Sequence, residues 1–325
     1  VLVPLCLRSW GFQNINVVPE QMVVDGNFPT VVSPNPENAE AMTLGMKLGT
    51  RLNADLVIAS DPDADRLAIV CRNDKGEWEI LNGNQTCMMF CWYIIANKKK
   101  LGQLKGNEFL VKTIVTTEMA VPICEKYGVE LRNVLTGFKF IGEQIGLLEQ
   151  EGHPERYIFG FEESYGYLSG TDVRDKDAVN AAVLVCEMAA NLKAEGLTLL
   201  DKLELLRKEH GFFAQRLLTF EYEGESGAKT MANIMANLRK PLADFADAAA
   251  VARLKEIFRK KAEAEAAALL QLRKGLRGYV LSHTWTDTRD GGDGYLYATA
   301  SGEYLADLAL REDGQPNTAP AAPVH

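Results

Sequence analysis

Histidine is scarce in this chain, with 4 among 325 residues. No serine–histidine–aspartate or cysteine–histidine arrangement for nucleophilic catalysis can be drawn from them. His153 sits in a polar stretch ending at Pro154 and reads as exposed and inert; His210, before Gly211, reads as a residue closing a helix. The six cysteines are scattered without metal-ligand spacing. Cys87 and Cys91 share an apolar segment with Met88, Met89 and Phe90 and read as core thiols. Such usage fits a reducing, cytoplasmic compartment. No apolar run is long enough to span a bilayer, and no glycine fingerprint for a dinucleotide is present. Val1 to Arg8 carry neither a charged leader nor a small-residue cleavage site, and read as an internal strand. Positive charge is also in deficit. The 35 lysines and arginines face 44 aspartates and glutamates, a net charge of −9. That balance disfavours a nucleic-acid backbone or an anionic membrane as partner. It still admits a phosphorylated small molecule, because a local basic cluster can reverse the field.

A hydrophobic content of 47% over this length supports two or three globular domains. Apolar runs predict strands at Val1–Leu7, Ile15–Val18, Leu56–Ala59, Leu67–Cys71, Phe109–Val115, Val129–Val134 and Tyr157–Phe159. Helical spacing falls at Asn38–Leu52, Thr86–Ala96, Met119–Tyr127, Ala178–Leu192 and Leu200–His210, with Asn82–Gln85 as a cap for the second of these. Alternating strands and helices predict consecutive α/β domains with mixed sheets flanked by helices, plus a divergent α+β C-terminal region. The lysine run Lys98–Lys100, a solvated surface, marks a boundary, so the expected domains are 1–97, 98–197 and 198–325. In the last of these, Leu217–Tyr222, Tyr279–Leu281 and Tyr295–Tyr297 read as strands. The Ala/Lys/Glu-rich run 240–275 reads as helix, and the Pro/Ala tail 316–323 as unstructured.

Three polar loops follow strands. In Ser60-Asp61-Pro62-Asp63-Ala64-Asp65-Arg66, three carboxylates alternate with small or rigid residues. Alternating carboxylates on a tight loop converge oxygens on one hard cation, for which Mg²⁺ is suited. Arg66 adds a fork that matches a phosphate. A solvated acidic turn is the competing reading. In Thr136-Gly137-Phe138-Lys139, the glycine permits close backbone approach and Lys139 offers a point charge for a phosphate. In Gly160-Phe161-Glu162-Glu163-Ser164-Tyr165-Gly166, carboxylates and a hydroxyl framed by glycines suit the hydroxyls of a sugar. Arg174 and Lys176, alternating with Asp175 and Asp177, read either as a phosphate contact or as a charged helix entrance.

These stretches, in this order, resemble the phosphohexomutases, and most nearly their phosphoglucomutase/phosphomannomutase branch. Phe28–Val31, Pro34-Asn35-Pro36-Glu37 and Leu81–Gln85 match as well, and the resemblance covers Gly11 to Leu192. It implies that Asp61, Asp63 and Asp65 bind Mg²⁺ and that Arg66 is catalytic, approaching the transferable phosphoryl group. Glu162 and Ser164 would hold sugar hydroxyls, while Thr136, Lys139, Arg174 and Lys176 lie near the substrate and its phosphate. The implied reaction interconverts hexose 1-phosphate and hexose 6-phosphate through a phosphoserine and a hexose 1,6-bisphosphate. Glucose is favoured, because the Glu162–Gly166 loop lacks the histidine of some dual-specificity members.

The chain also departs from that pattern. No serine loop precedes Val1, the family's C-terminal phosphate-binding motif has no counterpart, and Arg289–Gly292 is a poor substitute. The expectation is therefore a chain without turnover of its own. Two other readings stand beside the mutase: a non-catalytic metal- or sugar-phosphate-binding remnant, and a metal-dependent phosphatase using Asp61-Pro62-Asp63.

Overall fold

The computed structural model describes residues 2–219, 224–238, 276–287 and 292–299. Two compact units divide the chain, Val1–His210 and Gly211–His325.

The first unit opens with helix α1 (Leu2–Ser9), where the apolar run predicts a strand. An apolar run of this length fits either state, and packing decides. Helical spacing puts Val3, Cys6 and Leu7 on one side, with Leu7 buried, and α1 packs against the later helix α6 (Ala178–Ala194). Pro4 is tolerated because it lies in the first turn. Ile15–Val18, the second expected strand, forms no regular element. Helix α2 (Thr43–Leu52) ends on Asn53 in the left-handed conformation and leads into strand β1 (Leu56–Ser60). β1, β2 (Leu67–Arg72) and β3 (Trp78–Leu81) make an antiparallel three-stranded sheet in that order. The acidic loop is therefore the connection of an antiparallel hairpin, closed by the Ser60–Leu67 pair, rather than a strand-to-helix loop of a parallel sheet.

Helix α3 (Gly83–Lys100) starts at a capping box: Asn82 accepts from the Gln85 amide while the Gln85 side chain accepts from the Asn82 amide. It is buried nearly all round, including Cys87 and Cys91, as a helix covered on several sides must be. Lys98–Lys100 in the last turn suit its negative end. The second sheet comprises β4 (Phe109–Thr113), β5 (Glu130–Val134), β6 (Tyr157–Glu162) and β7 (Gly166–Leu168). Its order is β5-β4-β6-β7, with β6–β7 antiparallel and the rest parallel, so it is mixed. Helix α4 (Ala120–Tyr127) joins β4 to β5, and α5 (Phe138–Glu151) precedes β6. α5 is a helix that the sequence reading does not foresee. Its residues Phe138, Ile141, Ile145 and Leu148 pack with Phe109, Val111 and Tyr157. An irregularity between Phe109 and Leu110 against β6 shifts the pairing there. Phe159 and Tyr167 meet Phe90 of α3 edge-on, at 6.1 and 5.0 Å. α7 (Leu199–His210) completes the unit. His210 is its last residue and is buried, and Gly211 follows at φ 100°.

The second unit contains β8 (Phe212–Thr219), α8 (Gly224–Leu238), β9 (Leu276–Asp287) and β10 (Gly292–Thr299). Its sheet is ordered β10-β9-β8, with β8 and β9 parallel. The strand expected at Leu217–Tyr222 overlaps β8 at Leu217–Thr219, its last three residues lying outside the described residues, and β8 begins earlier, at Phe212; α8 is not foreseen in the sequence. The run 240–275 and the tail 316–323 lie outside the described residues. Among the described residues, no helix is long and apolar enough to cross a membrane.

Candidate metal and sugar site

The acidic hairpin loop is organised around Asp61. Its Oδ1 accepts the amides of Asp65 and Arg66, both at 3.0 Å, which curls the loop back on itself. The tight path puts Ala64 in a left-handed backbone, φ 60°. Asp61, Asp63 and Asp65 each bring an oxygen within 4.8 Å of the others, a set that can hold a metal ion. Asp65 Oδ1 is buried without a hydrogen-bond partner, an acceptor left open on the loop. Burial, helped by the neighbouring aspartates, pushes the Asp61 carboxyl up to about 7. Burial works against the charge on Asp65 too, but contacts with Asp61, Lys176 and Arg66 outweigh it and hold that carboxyl below the usual range. Three crowded hard-oxygen donors, whose mutual repulsion a cation would relieve, fit Mg²⁺.

Arg66 reaches Glu37 at 3.4 Å and stands 3.9 Å from both Asp61 and Asp65. In the sequence Glu37 is only the end of a proline-fixed connector. Its role as the anchor of Arg66 depends on two segments that meet only in the fold. Lys176 bridges Asp65 and Asp175, both at 2.9 Å, and its ammonium lies 5.4 Å from the ring centre of Phe138.

The Glu162–Gly166 turn joins β6 to β7. β6 runs on through Glu162, although the sequence predicts that the chain opens into a loop at Gly160. Ser164 Oγ donates to Glu162 Oε1 at 3.0 Å. Glu162 is buried, and burial together with the adjacent Glu163 pushes its carboxyl up to about 7 against the pull of Lys176 and Arg66. Tyr165 takes a left-handed backbone, φ 65°. The two hairpins are joined through the main chain. Leu67 N–H donates to Tyr165 O at 3.1 Å, and Arg66 forms a β-bridge with Gly166. Ala178 N–H donates to Ala64 O at 3.1 Å, so the start of α6 is tied to the acidic loop as well.

Asp63 and Asp65 line an open groove of about 1080 Å³ together with Arg174, Lys176, Leu2 and Leu5. Asp61, Asp63, Asp65 and Arg66 also line a smaller hollow of about 290 Å³ with Asn35. Arg174 contributes to the groove, yet its guanidinium is engaged by Glu149 and by the Thr171 and Val173 carbonyls. Thr136 is half-buried and precedes Gly137, the residue before α5. Lys139 is exposed in the first turn of α5, 5.1 Å from the Phe140 ring centre, and does not line the groove. His153 is exposed, 3.3 Å from Glu155, and lines neither opening.

Similarity to known proteins follows the same region. A phosphoglucomutase of Staphylococcus epidermidis is 37% identical over 238 residues, covering 73% of this chain and 42% of that protein. A Staphylococcus aureus phosphoglucomutase is 38% identical over the same shares. The chain therefore spans about two fifths of the length of these curated relatives. A solved phosphoglucomutase/phosphomannomutase family protein from Burkholderia thailandensis has a TM-score of 0.43 at 19% identity, covering 57% of this chain and 35% of that one. Residues 1–76 match the α/β/α domain II of the phosphoglucomutase/phosphomannomutase family, and residues 82–207 match its α/β/α domain III. The chain belongs to that family.

Proposed function

We propose that this chain supplies the metal-holding and sugar-holding walls of a Mg²⁺-dependent phosphohexomutase, which interconverts hexose 1-phosphate and hexose 6-phosphate, with glucose favoured. The observation that carries this reading is the main-chain joining of the two acidic hairpins. It brings the loop of Asp61, Asp63 and Asp65 beside the turn of Glu162 and Ser164, with Lys176 on the acidic loop's flank, which supports reading them as one site. Asp61, Asp63 and Asp65 would hold Mg²⁺, which when bound draws negative charge from a phosphoryl oxygen. Arg66, anchored by Glu37, presents its guanidinium to the transferring phosphoryl group. Glu162 and Ser164 accept from and donate to the sugar hydroxyls. Lys176, together with Thr136, Lys139 and Arg174, serves the substrate and its phosphate. A phosphoserine donor and a hexose 1,6-bisphosphate intermediate complete the proposed cycle. The phosphatase alternative would leave the Glu162–Ser164 turn and the third aspartate, Asp65, without a role.

Calorimetric titration of the 325-residue chain with glucose 6-phosphate and glucose 1-phosphate in Mg²⁺ tests the reading. Saturable binding is expected, weakened at least roughly tenfold in Glu162→Ala and in Ser164→Ala, as loss of a buried hydrogen bond to a ligand predicts. Equal affinity in wild type and both variants would overturn it.

A further inference from the structure

The β6–β7 turn carries a second glutamate that the sugar-binding reading leaves unused. Glu163 Oε2 lies 3.2 Å from Thr113 Oγ1 and 2.9 Å from Thr116 Oγ1, and these two hydroxyl oxygens lie 2.6 Å from each other. Both threonines are fully buried. Three contacts join three oxygens, the Thr113–Glu163 one longer than an ordinary hydroxyl hydrogen bond, but two hydroxyls bring only two protons. With an ionised carboxylate, one contact would set lone pair against lone pair. A proton on Oε2 supplies the third, and each oxygen of the ring then donates once and accepts once.

The buried lysine beside the ring is committed elsewhere. Lys112, fully buried on β4, directs its ammonium to the Thr113 and Thr116 carbonyls and to Glu118, at 3.4, 3.0 and 2.9 Å. Two acids, Glu162 and Glu37, bear on Glu163. Burial first, and Glu37 in addition, push the Glu163 carboxyl above the usual range, although its threonine contacts pull the other way. The backbone is confined as well, since a Cβ on Gly83 at the start of α3 would collide with the Glu163 carbonyl. The amide of Thr117, next to the ring, donates to Asn84 of the same helix turn at 2.9 Å.

We propose that Glu163 is a positioning residue, a neutral acid closed into a ring with Thr113 and Thr116 that fixes the turn so that Glu162 and Ser164 face a sugar. This rests on the sugar-binding reading of the turn. The test pairs two measurements on the full chain: glucose 6-phosphate affinity in Mg²⁺, and amide hydrogen exchange across residues 162–166. Glu163→Ala is expected to weaken affinity at least about tenfold and to speed exchange by a similar factor. Glu163→Gln, neutral and of the same shape, is expected to stay within about threefold of wild type in both. Should Glu163→Ala fail to fold, Thr116→Val, which removes one ring member, is expected to show the same two losses in milder form. A Glu163→Gln variant as impaired as a folded Glu163→Ala overturns the neutral ring. Glu163→Ala matching wild type in both measurements, while Glu162→Ala loses affinity, overturns the inference and leaves the sugar reading standing. Faster exchange in Glu163→Ala with an affinity that neither glutamate influences overturns the sugar reading and the positioning role with it.

Discussion

The two acidic hairpins handle their charge in opposite ways. Between β1 and β2, Asp63 is exposed, Asp61 and Asp65 are half-buried, and cations close in around the carboxylates. Between β6 and β7, Glu162 is buried and Glu163 is turned onto threonine hydroxyls. Each hairpin holds a non-glycine residue in the left-handed region, Ala64 in one and Tyr165 in the other. The shared strain points to two loops held in set shapes by their surroundings. The different handling of charge separates their chemistry. Carboxylates left partly solvated and crowded together favour a cation, whereas carboxyls withdrawn from water and met by hydroxyls favour neutral hydrogen-bonding partners.

The largest effect that tests this contrast is on metal affinity. Asp63→Ala removes one of three converging oxygens and is expected to lower Mn²⁺ affinity by roughly 100-fold in a paramagnetic resonance titration, at the upper end of the range for disturbing a metal's surroundings. Glu163→Gln should leave that affinity unchanged. If both variants behave alike, the hairpins are not chemically distinct.

Gly83→Ala probes the packing under the second hairpin. The new Cβ meets the Glu163 backbone, which cannot swing aside as a flexible side chain would. A loss of about 3 kcal/mol in urea unfolding is expected. The same change at Gly76, a surface turn with open space around it, is expected to cost less, although its φ of 77° strains any side chain there.

Glu162 supplies a pH test. Its carboxyl stands near 7 in the folded chain against an ordinary 4.5, so the folded state holds the proton more tightly than the unfolded one. Its contribution is full below the ordinary value and is lost as the pH rises through 7. Between pH 5 and pH 8 the wild type should lose about 2 kcal/mol more stability than Glu162→Gln. Equal slopes would mean that the site's burial does not govern this carboxyl.

The smallest expected effect is at Ala64. Relieving its left-handed backbone with Ala64→Gly should stabilise the unit by up to about 1 kcal/mol. Metal affinity should fall slightly as the loop gains freedom, and a rise instead would mean that the loop's set shape does not serve the cation.

Much of the site is readable from the chain because its signals are local. Asp61, Asp63 and Asp65 alternate at a spacing of two, and the cap at Asn82–Gln85 acts within one helical turn. Strands β1, β2 and β4 follow from short apolar runs. Helix α5 is hidden because Gly137, Gly142 and Gly146 interrupt the run, although Phe138, Ile141, Ile145 and Leu148 keep helical spacing. The role of Gly142 emerges only in the fold, where a Cβ would stand 2.6 Å from the Arg174 carbonyl.

By itself the sequence determined the kinds of chemistry on offer: a hard-oxygen cluster, a phosphate-matching arginine, and a loop of acceptors and a hydroxyl. It also determined the family, because several such patterns recur in one order. Only the tertiary structure decided that the apolar run Leu2–Leu7 becomes a helix against α6, that Glu37 anchors Arg66, and that Glu163 turns away into Thr113 and Thr116. The last two depend on partners 29 to 50 residues apart in the chain. Which polar atom meets which, and so which charge survives burial, is settled by packing across such distances and leaves no local mark on the chain.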